Sequence, residues 1–308
     1  MSLLNAGKSR AGKWGVGIAL LFLFAWPGSV AAEYKKKIAV EPLIDPSGWN
    51  GTFSPGPLIA RALERSLRTT EKYQVLSLSA GKIPRQGQRH PAQVLIQGRV
   101  LTFHMSPLLK PSANGETEPQ QAEVKIELVL RDSFTQKKFA GKTFSGRGSS
   151  EHIPFRVPQD EADFSAPGFI KSAIGKALTA LANQVSPFVS TTLNAVPFEA
   201  VLFSVDNEKR EVVINSGKNN GIRPLDVFDV FSVNKNFIDP VTQYNLGEKI
   251  TRQGVIRVKT VLDDYSLAEI TAGPDFEEGF VARSHYQPIP SGGQPRSWRQ
   301  LYGTLIDP

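Results

Sequence analysis

The 308-residue chain contains no cysteine. That excludes disulfides, a thiolate nucleophile, a cysteine-ligated zinc or iron–sulfur cluster, and the lipid acceptor that anchors bacterial lipoproteins. Histidine is nearly as scarce: His90, His104, His152 and His285 are scattered, with no His-x-His or Glu-x-x-His spacing to build a metal site. No Gly-x-Ser-x-Gly elbow is present. The residue inventory therefore leans away from catalysis, and no cofactor or metal is expected. What is there, 40% hydrophobic and 21% charged residues, is a globular composition with room for two domains of ordinary size.

The chain opens with Lys8, Arg10 and Lys13 and no acid, followed by an apolar run from Val16 to Trp26, a Pro27-Gly28 break and Val30-Ala31-Ala32. This reads as a secretory signal peptide over residues 1–32, with the mature chain beginning near Glu33. The apolar run is about half the ~20 residues that span a bilayer, and no later stretch reaches that length. The expectation is an exported, unlipidated protein of the periplasm with no transmembrane segment after cleavage. Gly7-Lys8-Ser9-Arg10-Ala11-Gly12-Lys13 imitates a phosphate loop, but Trp14 stands where a magnesium-binding Ser or Thr belongs.

Charge is uneven. Residues 33–190 hold 21 basic and 14 acidic side chains, and residues 191–308 hold 12 and 15. A basic first half and an acidic second half could steer the protein to anionic partners or stack one subunit on another; two solvated surfaces without a shared purpose explain them equally well. The basic residues are dispersed, and export removes nucleic acid as a partner.

Residues 33–190 read as an α/β domain. Ile38-Ala39-Val40 is a buried strand that ends at Pro42. Ile59, Ala62, Leu63, Ser66 and Leu67 then mark an amphipathic helix opposite Arg61, Glu64, Arg65 and Arg68. Strands follow at 73–78, 94–103, 122–131 and 138–144, the third alternating through Val124, Ile126, Leu128 and Leu130. A second helix over 169–189 presents Ile170, Ile174, Leu178, Leu181 and Val185. The polar segments 106–121 and 145–167 are expected to be long surface loops. From Phe198 the pattern changes to short strands at 199–205, 211–215, 227–233, 254–261, 266–270 and 280–284, parted by turns such as Asn219-Asn220-Gly221. Residues 198–285 thus predict a small closed or half-closed β-barrel. The fold class is α+β: a mixed-sheet α/β sandwich with two helices, then the barrel. A mobile tail, 286–308, carries Trp298, Leu301, Tyr302 and Leu305, which could dock on a partner.

Ile38-Ala39-Val40-x-Pro42-Leu43-x-Asp45-x-Ser47-Gly48, then a helix, a strand and Val94-Leu95-Ile96-Gln97-Gly98, resembles the periplasmic domain of curli secretion proteins, outer-membrane activators of penicillin-binding proteins and TolB-like amino-terminal domains. The second module is similar to the carboxy-terminal domain of flagellar assembly protein T. The similarity runs through Ile214-Asn215-x-Gly217-x-x-x-Gly221-Ile222-x-Pro224-x-Asp226-x-Phe228-x-Val230 and Asp239-Pro240-x-Thr242. Leu225 and Gln243 stand where that pattern has glycine. Flagellar assembly protein T has an extra domain ahead of these two, for which no residues are expected in this sequence. The resemblance implies a non-enzymatic scaffold in flagellar or secretion-apparatus assembly; alternatives are a regulator of a peptidoglycan synthase and, from another class, a periplasmic hydrolase. The implied partners are envelope proteins or the chain's own subunits, with peptidoglycan or the outer membrane as further contacts. A curli-type pore would need two membrane hairpins of about 9–11 residues per strand, and the proline-broken polar segments 106–121 and 145–167 do not supply them.

Gly146-Arg147-Gly148-Ser149-Ser150 could cradle an anion, although a flexible loop is the commoner meaning. Gly175-Lys176 is read as mid-helix. Asp160, Glu161 and Asp163, and Asp263-Asp264, read as solvated loop acids, because no apolar pocket beside them would raise a pKa. The stronger signal is the loop Asp45–Phe53, where Trp49 and Phe53 either plug the end of the sheet or anchor an interface. Lys35, Lys36 and Lys37 either hold an anionic envelope polymer or mark a solvated strand start. Trp49, Phe53, Lys35, Lys36 and Lys37 are the candidate partner-binding residues.

Overall fold

The computed structural model describes residues 34–77, 91–106, 119–151, 153, 155–234, 237–242 and 249–284. The signal segment, the tail from Tyr286 with its four apolar residues, and Gln243 lie outside the described residues.

A five-stranded mixed sheet is built from β1 (Lys36–Val40), β2 (Tyr73–Leu76), β3 (Val94–Met105), β4 (Gln120–Asp132) and β5 (Lys138–Ser150), in the order β2-β1-β3-β4-β5. β1 runs parallel to both neighbours, and β3, β4 and β5 form an antiparallel meander. α1 (Pro55–Thr69) lies between β1 and β2, and the short α2 (Pro167–Lys171) and α3 (Ala173–Asn194) follow β5. The apolar stripe of α1 is buried at Leu58, Ile59, Leu63 and Leu67. α1 packs on β1, β2, β3 and α3, while α3 lies on β5 and on the alternating face of β4, where Val124, Ile126, Leu128 and Leu130 are all fully buried. Two-fold periodicity in the strand and 3.6-fold periodicity in the helices thus converge on one core. A bulge between Val100 and Thr102 resets the alternation of β3, so that Val100 and Phe103 both point into it. The opposite sheet face carries cross-strand ion pairs, Arg99–Glu127 at 2.7 Å and Arg147–Glu123 at 2.9 Å.

Two expectations are corrected. Ser145–Ser150 is not loop but the second half of β5, paired along its length with β4. A Cβ on Gly146 would lie 2.0 Å from the Ala177 carbonyl oxygen, and one on Gly148 would lie 2.2 Å from that of Ala173. The glycines let α3 lie directly on the strand, which accounts for them without an anion. Gly175 is not mid-helix either. It lies in the first turn of α3, where its N–H is capped by the Ser172 hydroxyl at 3.1 Å and its missing side chain admits the Phe169 carbonyl.

After α3 come β6 (Glu199–Asp206), β7 (Glu211–Ile214), β8 (Val227–Asn234), β9 (Lys249–Val261), β10 (Ser266–Ala272) and β11 (Val281–Ser284). They close into a barrel in the order β10-β7-β6-β11-β8-β9. Inward residues Leu202, Ile214, Phe228, Val230, Ile256, Val258 and Ala268 fill it, so it is a packed core and not a channel.

Candidate functional site

The loop from Asp45 to Phe53 is held at both ends. α1 starts after Ser54, whose side chain makes no cap; the Asp45 carboxylate does this work from eleven residues upstream, accepting the Gly56 N–H at 2.6 Å. At the other end the Trp49 indole N–H donates to the Phe53 carbonyl at 2.6 Å. Both rings are half-buried and pack on the sheet core. Trp49 lies edge-on to Phe103 at 5.5 Å, and Phe53 contacts Phe103 at 5.6 Å and Phe155 at 5.7 Å. The ring series continues through Phe155–Phe169 at 6.4 Å and Phe169–Phe164 at 5.1 Å. Trp49 and Phe53 therefore close one end of the sandwich. Above them Ser47, Gly48, Asn50, Gly51 and Thr52 face solvent.

The arginines of α1 also have a role that sequence reasoning missed. Arg61 donates to the Pro158 carbonyl at 3.0 Å and lies 5.4 Å from the Phe164 ring centre. Arg65 donates to the Glu161 carbonyl and to the Ser165 hydroxyl. They pin the segment that carries Phe155 and Phe164. Within it, Asp163 accepts from the Gln159 N–H and Asp160 from the Asp163 N–H. The acids there make turns.

Lys35, Lys36 and Lys37 are at a different place, where the sheet meets the barrel. Just before β1, Tyr34 inserts its ring among the barrel residues Phe198 and Phe228, at 5.0 and 5.4 Å, within the influence of the Asp226 carboxylate. Burial, then the negative charge of Asp226, holds its phenol well above the usual tyrosine range. The Lys35 N–H donates to the Asn220 carbonyl at 2.9 Å, and the Asn220 side-chain amide donates to the Lys35 carbonyl at 2.9 Å and to Gln74 at 2.8 Å. Lys37 donates its ammonium to the Asn215 carbonyl, and burial lowers its pKa while the Asp264 carboxylate partly opposes the shift. Gln93, just before β3, donates to the Pro197 carbonyl at 2.6 Å and accepts from the Glu199 N–H at 3.3 Å. A cavity of about 30 Å³, room for one water, lies among Lys37, Gln93, Asp132, Ser133, Glu199 and Asn215. Beside it Arg283 pairs with Glu199 at 2.7 Å, largely out of solvent.

The proposed partner residues thus fall into two groups that the fold does not bring together. Trp49 and Phe53 are at the aromatic end, and the three lysines are at the junction. The junction role of Tyr34, Gln93 and Asn220 escaped the sequence reading: Asn220 reads there only as a turn residue, and a single tyrosine and a single glutamine carry no periodic signal. Among the described residues no group of acids and histidines is placed to hold a metal ion. The remaining shifted groups have local causes: Asp206 with Lys209, Asp239 with Thr242, and Lys259 with Glu211. A second, open groove of about 320 Å³ is lined by Ser149, Ser150, Glu151, Ile153, Lys171 and Lys176. Its Lys176 ammonium is engaged by the Ser149 carbonyl at 2.7 Å. No helix among the described residues is long and apolar enough to cross a membrane.

No protein-family model matches the sequence, and no curated protein matches it. Similar solved structures include the hypothetical protein CT253 from Chlamydia trachomatis, at 12% identity and TM-score 0.37 over 52% of this chain and 98% of that one. The PelC dodecamer from Paraburkholderia phytofirmans is similar at 14% identity and TM-score 0.30 over 50% of this chain and 88% of that one. Lipoprotein GNA1162 from Neisseria meningitidis is similar at 15% identity and TM-score 0.28 over 49% of this chain and 99% of that one. All three are bacterial proteins; at these TM-scores the likeness carries no argument about what this chain does.

Proposed function

We propose that the protein is a non-enzymatic scaffold of the bacterial cell envelope, exported to the periplasm and acting in flagellar or secretion-apparatus assembly. The observation that supports this reading best is the junction. Tyr34 by its ring, and Lys35, Lys37, Gln93 and Asn220 by part-buried hydrogen bonds, tie the sheet to the barrel, so the two modules present their surfaces at a fixed separation. A protein that spaces two partners needs such stiffness. The partner contact is the exposed rim Ser47–Thr52, shaped from beneath by Trp49 and Phe53, and the lysines serve the junction.

Cross-linking in intact cells, then affinity purification from a detergent-free periplasmic extract, tests the proposal. The expected result is a processed chain beginning near Glu33 that carries proteins of one envelope machine, with Asn50→Lys reducing their capture without lowering the melting temperature. Recovery of an unprocessed chain only from inner-membrane vesicles would overturn export. Turnover of peptidoglycan, an ester or a phosphoester that a single carboxylate substitution abolishes would overturn the scaffold reading.

A further inference from the structure

Leu225 is unfavourable twice over. Its φ is +73°, in the third position of a turn after Pro224, where glycine sits without strain, and its side chain is 74% exposed. The turn is firmly held: the Asp226 N–H reaches the Arg223 carbonyl at 3.2 Å, the Arg223 N–H reaches the Asp226 carboxylate at 2.8 Å, and the Leu225 N–H reaches the Val258 carbonyl at 2.9 Å. Two residues on, Val227 is a second exposed apolar side chain, at 39%. A strained backbone that displays leucine to water points to a use for that side chain.

The strand register says what lies nearby. Ser284, the last residue of β11, pairs with Phe228, so the chain leaves the barrel one residue from Val227. Twenty-four residues follow, and among them Trp298, Leu301, Tyr302 and Leu305 recur at the i, i+3, i+4, i+7 spacing of one helix face. The thirteen residues from His285 to Ser297 can extend about 40 Å, which reaches back to Leu225 with slack. Charge agrees: residues 198–284 hold 14 acidic and 10 basic side chains, whereas the tail carries Arg296 and Arg299 against Asp307. Tethering at Ser284 also gives the tail a millimolar-scale effective concentration at this spot, which a free partner would have to exceed.

We propose that the carboxy-terminal stripe Trp298, Leu301, Tyr302 and Leu305 folds back on its own barrel and covers Leu225 and Val227. The two exposed apolar side chains of the turn and of β8 then have a cover supplied by the same chain.

The full chain has no cysteine, so an introduced pair reports without background. Val227→Cys with Tyr302→Cys, under mild oxidation in dilute solution, should form an intramolecular disulfide at least tenfold faster than the same pair in a chain that also carries Trp298→Asp and Leu301→Asp, which keeps the tether and removes the stripe. Equal rates would overturn the proposal, as would disulfide-linked dimers, which would place the tail on a second copy. Hydrogen exchange gives an independent reading in a chain with Leu225 and Val227 intact. Trp298→Asp with Leu301→Asp should speed amide exchange across residues 223–229 severalfold, and unchanged exchange there would reject the docking.

Discussion

The Tyr34 ring lies 5.0 Å from the ring of Phe198 and packs on Phe228 as well, so a residue that precedes the first strand of the sheet is part of the barrel. With Lys37 donating to the Asn215 carbonyl three residues further on, the chain start runs across the junction as a strap. Tyr34 and Lys37 respond to pH in opposite directions. For Tyr34 the folded-state pKa is raised, so its stabilising contribution is complete below the unfolded value of about 10 and is lost as pH rises above it. Tyr34→Phe should flatten the alkaline fall in unfolding free energy, measured by urea titration from pH 8 to 11.

For Lys37 the folded pKa is lowered, so burying the ammonium costs stability below that pKa, and the cost is relieved as pH rises towards the unfolded value of about 10.4. Lys37→Met should therefore be less destabilising at neutral pH than at pH 10, relative to wild type. A variant whose penalty does not grow with pH would show that the ammonium is not desolvated.

Trp49 packs on Phe103 and Phe53 and is also tied by its indole N–H. Trp49→Ala should lower unfolding free energy by about 2–4 kcal/mol, below the largest aromatic truncations because the ring is half-buried. Trp49→Phe should cost about 1 kcal/mol, chiefly the lost hydrogen bond. Denaturant titrations of the two variants measure both, and an unchanged midpoint for Trp49→Ala would mean that the ring does not close the sandwich.

Gly146 and Gly141 lie on the same strand with different neighbours. Gly146→Ala drives a Cβ into the backbone of α3 and should cost more than about 3 kcal/mol or prevent folding. At Gly141 the nearest atoms belong to the flexible end of Lys138, and Gly141→Ala should change stability by less than about 1 kcal/mol. Thermal melts of the pair separate the close helix approach from a general intolerance of side chains on β5.

Leu225 yields a coupled prediction. In a chain carrying Trp298→Asp and Leu301→Asp, Leu225→Gly should raise stability by about 1 kcal/mol, the relief of left-handed backbone strain. In the unaltered chain the gain should be smaller, because the substitution also removes the surface on which the tail packs. Equal gains in the two backgrounds would show that strain alone distinguishes the residue.

Much of this was legible in the amino-acid order. The stripe of α1 and the alternation of β4 are local periodicities, and short range suffices to declare which face is apolar. The six short runs after Phe198 were legible as barrel strands for the same reason. Glycine at 225 was expected only from the resemblance of the second module, and the φ of +73° at Leu225 is a backbone conformation that glycine adopts without strain. Less visible was the far end of β5. Gly146, Gly148 and their serine neighbours have poor strand propensity, and only the closeness of α3 makes them favourable.

Periodicity and turn chemistry act within a few residues along the chain, so amino-acid order was enough for the classes of element, their order and the two apolar cores. Tertiary structure alone decided that Asp45 caps α1, that Arg61 and Arg65 hold a distant loop, that Trp49 closes the sheet end, and that Tyr34 belongs to the barrel. Each of these is a contact between residues far apart in the chain, or across an irregular loop. Its free energy appears only after the cores have formed and brought the partners to within a hydrogen bond or a ring contact of each other.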